Sequence, residues 1–207
     1  MKPYLISVCS VTPGLDRFLE GVKKIDVEHV MVALDPYPGH IEKYNFFPKD
    51  LDPDRYVVFL DTDDVIIQKE LPEFTHDLYL SAENAKHKDT IWKQVIEETH
   101  GFEELMYEDI YNVGSWAMRV STMYEMLDFF KDSGLMGQTK LADQLLFNLF
   151  IRKRVSLSRV VDNSIFCALF ANFYVGDVEK QDGLWKTGGK VISCVHANGA
   201  DYLKDEL

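Results

Sequence analysis

The chain has 207 residues, 46% hydrophobic and 13% aromatic, enough apolar material for one large core and too much for a disordered chain. Its formal net charge of −12, from 34 acidic against 22 basic residues, repels a phosphate backbone and disfavours nucleic-acid binding. A chain of this charge that takes up a diphosphate needs a local cation, and a metal ion is the economical supply.

No apolar run reaches bilayer-spanning length, and the chain enters a strand-like segment at once, without the flanks of a secretory signal. The three cysteines, Cys9, Cys167 and Cys194, are scattered among apolar residues and read as small reduced core residues. Together these features lead us to expect a cytoplasmic protein. The C-terminal Lys204-Asp205-Glu206-Leu207 spells an ER-retrieval tetrapeptide, and the ER lumen is the alternative expectation.

In chain order, residues 4–11 read as a strand ending at Thr12-Pro13-Gly14, which opens a helix. Leu15, Phe18, Leu19 and Val22 fall at i, i+3, i+4, i+7 and form its apolar stripe. A second strand over 29–34 ends at Asp35-Pro36. A third, 56–60 (Tyr-Val-Val-Phe-Leu), is apolar as a strand buried on both faces should be. Strand, helix, strand, connection, strand predicts a Rossmann-like sheet flanked by helices. The C-terminal strand ends then share one rim, carrying Thr12, Asp35 and Asp61.

Further on, 77–81 reads as a strand, 91–105 as polar and helical, and Tyr111 to Trp116 as a lead into a strand over 116–120. Met123, Met126, Leu127 and Phe130 sit at helical spacing, as do Ala142, Leu145, Leu146 and Leu149. Both stripes read as core faces. A last strand over 191–195 leads to His196-Ala197-Asn198-Gly199. The fold class is therefore α/β with a mixed central sheet, in one domain over 1–207. Its nucleotide-binding portion is expected over 1–64, and its metal-completing and acceptor portion over 65–207.

The strongest chemical signal is Asp61-Thr62-Asp63-Asp64 directly after the third strand. In extended backbone Asp61 and Asp63 point the same way. Adjacent carboxylates repel unless a divalent cation neutralises them, and hard oxygen donors suit Mn²⁺ or Mg²⁺. Asp64 could add a ligand or hold one through water. The plainer reading is an acidic turn or helix N-cap.

A hydrophobic strand ending in Asp-x-Asp, some fifty residues after a βαβ start, resembles the metal motif of GT-A fold glycosyltransferases. Asn112-Val113-Gly114, Asp143-Gln144 and His196-Ala197-Asn198-Gly199 follow in the order seen in glycogenin-like and procollagen glycosyltransferase-like members. The likeness spans about residues 4–199, as in a bacterial or large-virus member. It implies a Rossmann-like nucleotide-binding half joined to an acceptor half. It also implies Mn²⁺ or Mg²⁺ held by Asp61, Asp63, Asp64 and His196, and a nucleotide-sugar donor. The donor is expected to be UDP-glucose or UDP-galactose, with a glycan or glycoprotein as acceptor.

Thr12, Asp35, Lys43, Asp61, Gly114, Asn198 and Gly199 are the expected donor contacts. Asp143, Asn112 and Gln144 are the expected catalytic residues; the likeness leans toward retention of anomeric configuration, while Asp143 could equally serve as the acceptor base of an inverting enzyme. Each also has an ordinary reading. Asn112 and Gly114 could form a loop close to the sugar or a plain Asx turn. Asp143 could be a first-turn acid favoured by the helix dipole, and His196 a structural histidine. Lys43 reads most simply as a solvated lysine, while Trp116, Trp185 and Tyr37 could stack on a ligand or belong to the core.

Two rival readings remain. Phe59 to Val65 also satisfies the first motif of HAD-type phosphatases, and Tyr174-Val175-Gly176-Asp177 with Asp182 loosely echoes their late acidic motif. A full βαβ unit precedes the expected nucleophile strand, however, unlike that family. The other rival is a nucleotide-sugar-binding domain without turnover.

Overall fold

A computed structural model describes residues 1–9, 14–33, 39–135, 142–169 and 178–197. Thr12, Asp35, Tyr37, residues 174–177, Asn198, Gly199 and the C-terminal tetrapeptide lie outside the described residues. In chain order the elements begin with β1 (Tyr4–Cys9), α1 (Gly14–Val22), β2 (Glu28–Ala33) and β3 (Tyr56–Leu60). Next come β4 (Val65–Ile67), β5 (Leu78–Lys86), α2 (Trp92–Glu98), β6 (Asp109–Arg119) and α3 (Val120–Asp132). The remainder is α4 (Ala142–Lys153), β7 (Arg159–Val161), β8 (Phe166–Ala168), β9 (Val178–Gln181), β10 (Leu184–Thr187), β11 (Lys190–Val191) and β12 (Cys194–His196).

Six strands form the main sheet in the order β2-β1-β3-β6-β5-β7. β1 runs parallel to β2 and β3, and β6 runs antiparallel to β3 and β5. The sheet is mixed, as the sequence reading expects. β1, β2, β3 and β5 share a direction, so their C-terminal ends form one rim, the edge where open α/β sheets place ligands.

Both faces of the sheet are buried, and alternate side chains supply two cores. Ile6, Val57, Phe59, Leu80, Trp116 and Met118 pack on one face with Met123, Met126 and Phe130 of α3 and Leu145, Leu146 and Phe150 of α4. Leu5, Val58, Leu60, Tyr79 and Ala117 pack on the other with Phe18 of α1, Val65 and Ile67 of β4, Phe166 of β8 and Cys194 of β12. The Met and Leu stripes are core faces, as their spacing predicts. Trp116 is fully buried and stacked on Phe59 at 5.3 Å, which makes it core rather than a ligand platform. Trp185 is likewise buried, in a third cluster with Cys167, Ile192 and Val195. All three cysteines are buried and free.

Several expectations are corrected. Asn112 and Gly114 belong to β6 rather than to a loop, because that strand continues past Trp116 to Asp109. Its register with β5 is irregular between Leu80 and Lys86, and α4 side chains fill the gaps in the ladder. Asn148 accepts the Tyr111 N–H at 2.8 Å, and the Gln144 carboxamide oxygen accepts the Val113 N–H at 3.1 Å. The strand expected over 191–195 breaks in two, since Ser193 turns aside to pair its N–H with Ser164 and its carbonyl with Gln68. Residues 62–64 form bends rather than extended backbone, so the alternate-side argument for Asp61 and Asp63 does not apply. The helical reading of 91–105 covers only Trp92–Glu98 and a 3-10 turn at Glu103–Leu105.

The small sheet β4-β12-β8 fixes the last strand against the rim. Antiparallel pairing sets His196 opposite Val65, and the Ala197 N–H donates to the Asp64 carbonyl at 2.8 Å. No helix among the described residues is long and apolar enough to cross a membrane.

Candidate active site

Two backbone bonds tie the acidic turn to β6 and β12, and a side chain of α1 adds a third link. The Asp61 N–H donates to the Gly114 carbonyl at 2.9 Å, the Ala197 N–H to Asp64, and the Arg17 guanidinium to the Asp63 carbonyl at 3.2 Å. α1 can approach that carbonyl because its first residue is Gly14, where an added Cβ would stand 2.5 Å from the Asp63 oxygen.

On this frame His196, 3% exposed, points Nε2 at two carboxylates. Asp64 Oδ1 lies 3.1 Å away and Asp61 Oδ2 3.9 Å away. Burial disfavours the charged ring, but the Asp64 and Asp61 carboxylates outweigh it and hold the His196 pKa above the usual value, with Lys43 pulling the other way. Asp63 is exposed, and its charge adds to burial in raising the Cys9 thiol.

The other ring nitrogen meets Asn112. Oδ1 of Asn112 accepts the Gly114 N–H at 2.9 Å and lies 2.9 Å from His196 Nδ1, while Nδ2 donates to Glu83 Oε1 at 3.1 Å. A backbone N–H can only donate, so the network assigns oxygen to that side of the amide and a proton to Nδ1. Burial pushes the Glu83 carboxyl up to about 7, against the bond from Asn112 and the His196 charge.

Lys43 is the sharpest departure from the sequence reading. It is 1% exposed, held in a 3-10 turn (Glu42–Phe46) rather than solvated. Its ammonium lies 3.3 Å from Asp61 Oδ1 and 3.6 Å from Asp143 Oδ2, and 4.9 Å from the centre of the Phe59 ring. Asp143, in the first turn of α4, also accepts the Gln144 N–H at 2.8 Å. The Gln144 carboxamide is engaged with β6 backbone through Val113 and Tyr111.

The structure thus gathers Asp61, Asp64, His196, Asn112, Gly114, Lys43 and Asp143 at one rim, with Asp63 beside them and Gln144 bracing β6. Glu83 was missed by sequence reasoning. It lies beyond the strand expected over 77–81, whereas β5 runs on to Lys86, and only the pairing with β6 reveals its burial.

Among the described residues, no group of three or more His, Cys, Asp and Glu side chains is arranged to hold a metal ion. Asp61, Asp64 and His196 are instead closed on one another by ion-pair contacts. Their donor chemistry fits a divalent cation: two carboxylates and an imidazole whose Nδ1–H is tied back by an amide oxygen, the outer-shell arrangement typical of metal-binding histidine. A groove of about 470 Å³ lies at the opposite edge of the sheet, but Asp26, Asp54, Glu70 and Glu73 line it, and such a wall repels an anionic ligand.

No protein-family model matches the sequence, and no curated protein does. Among solved structures, the chain is similar to the apo form of the glycosyltransferase GlyE from Streptococcus pneumoniae TIGR4. The TM-score is 0.53 at 10% identity, over 95% of this chain and 54% of that one. A second GlyE structure from the same organism aligns at a TM-score of 0.42 and 13% identity, over 78% of this chain and 46% of that one. The fold is therefore one shared with a glycosyltransferase: a mixed central sheet flanked by helices. The chain spans about half the length of the structure it matches.

Proposed function

We propose that this chain is a metal-dependent glycosyltransferase of the GT-A type, moving a hexose from a nucleotide-sugar, with UDP-glucose or UDP-galactose the first donors to try, to a glycan or glycoprotein. The observation that carries this reading is the convergence of Asp61, Asp64, His196 and Lys43 on the ligand-binding rim of a fold shared with a glycosyltransferase.

Asp61, Asp64 and His196, with Asp63 adjacent, would hold Mn²⁺ or Mg²⁺. A cation held by these residues would supply positive charge to offset that developing on the departing diphosphate. The chain's own residues do the rest. Lys43 adds a buried positive charge at the same point, fixed in advance by Asp61 and Asp143 and therefore needing little reorganisation. Asn112 holds the His196 ring in place. Asp143 stands on the far side of Lys43, where it can orient a sugar or acceptor hydroxyl, and the retaining course is our preferred one.

The test is release of nucleoside diphosphate from UDP-glucose and UDP-galactose. Release is expected with Mn²⁺, lost on adding EDTA and restored by excess Mn²⁺. Asp61→Asn should lower it by roughly 10³-fold or more, the scale of removing a group that stabilises transition-state charge. Metal-dependent binding with no release would leave a binding domain without turnover. EDTA-insensitive release would contradict the metal's role, and a phosphorylated Asp61 would contradict glycosyl transfer.

A further inference from the structure

We infer that Glu83 is a positioning residue of this centre: its buried side chain on β5 holds the Asn112 carboxamide in the orientation that turns His196 toward Asp61 and Asp64. The inference deepens the metal reading above and rests on it for its consequence, though not for its geometry.

A single hydrogen-bonded line crosses from β5 through β6 to β12. Glu83 Oε1 accepts from Asn112 Nδ2 at 3.1 Å, Asn112 Oδ1 accepts from His196 Nδ1 at 2.9 Å, and His196 Nε2 faces Asp64 Oδ1 at 3.1 Å. The three inner members are 4%, 1% and 3% exposed, so water does not replace a lost partner. The Asn112 amide is fixed from both ends. Flipped, it would set its NH₂ against the Gly114 N–H, a repulsive donor pair, and would lose the Nδ2–H bond to Glu83 Oε1.

Stability alone does not call for this carboxylate. Its partner is a neutral amide rather than a cation, and burying a carboxylate that way is costly beside burying an apolar side chain of similar size. An acceptor at this position reinforces, from the opposite end, the face of Asn112 that the Gly114 N–H selects, and through it the ring of His196. Outer-shell groups that orient a ligating histidine have this effect on metal affinity.

The experiment uses the full chain, stripped of metal, with two readouts. The first is the hydrogen-bonded His196 Nδ1–H resonance in the metal-free protein, assigned by its disappearance in His196→Gln. The second is Mn²⁺ affinity by calorimetry. Glu83→Leu should shift or broaden the resonance and weaken Mn²⁺ binding by roughly 10- to 100-fold, whereas Glu83→Gln, which keeps an acceptor oxygen, should retain the resonance and most of the affinity. Wild-type resonance and affinity in Glu83→Leu would overturn the inference, as would a Gln variant as impaired as the Leu variant. Should Glu83→Leu not fold, Asn112→Asp keeps the shape and removes the Nδ2–H donor, and an unchanged resonance there overturns the inference equally. If the wild-type chain binds no Mn²⁺, the metal reading fails, and the ring resonance alone still decides whether Glu83 orients His196.

Discussion

On the proposed function, Gly114→Ala should lower metal-dependent turnover by roughly 10²-fold or more, the loss that misplacing reacting groups by about an ångström can cause. At this point in β6 an added Cβ would collide with His196 Cε1 and lie 2.6 Å from Asp61 Oδ2. Neither neighbour can yield cheaply. His196 is held by Asn112 and by its pairing with Val65, and Asp61 is bonded through its N–H to Gly114 itself. Overpacking of this kind costs about 1–3 kcal/mol of stability, which in a chain this size lowers Tm by several degrees, roughly 2–4 °C per kcal/mol. Activity should therefore fall much further than stability. Comparing UDP release with a melting curve on the same variant checks this, and a variant with near-wild-type release would show that Gly114 is not packed against the site.

Lys43→Met should be the most destabilising of the site substitutions. The ammonium is 1% exposed and flanked by Asp61 and Asp143. Removing one partner of a buried ionic cluster leaves uncompensated charge and costs about 3–5 kcal/mol, a fall in Tm on the order of 10 °C. If that charge is Asp143's, then Asp143→Asn in the Lys43→Met background should restore part of the loss, giving a coupling of about 1 kcal/mol or more in a double-mutant cycle. Strict additivity would show that the two residues do not interact.

Much of the fold was legible because the first half is periodic. The apolar runs of β1 and β3, and Phe18, Leu19 and Val22 on α1, are one-dimensional signals of burial. The acidic turn was legible because three carboxylates after five apolar residues are chemically conspicuous. The rest depended on pairings that sequence spacing does not encode. Lys43 looks like any surface lysine until β3 and α4 bring Asp61 and Asp143 to it. Asn112 and Gly114 read as turn residues because β6 is held there through their neighbours: the Tyr111 and Val113 N–H groups bond to Asn148 and Gln144, more than thirty positions away. Asp61 and Asp64, rather than Asp61 and Asp63, meet His196 because the backbone bends at 62–64. Asp182 with Gly183 offered a hairpin signal that the sequence reading passed over. Both residues have positive φ, 54° and 78°, and they form the two-residue turn between β9 and β10 that such a pair favours.

On the proposed function, the carboxylates at the tip of β3 and His196 hold a cation against a nucleotide diphosphate. A crystal grown with manganese and UDP tests it most directly. Anomalous density for manganese is expected beside Asp61, Asp64 and His196 Nε2, with the Nε2–Asp64 contact opened from 3.1 Å and the diphosphate touching the metal. Nucleotide bound elsewhere, or bound at this rim with no manganese between it and the carboxylates, would contradict it.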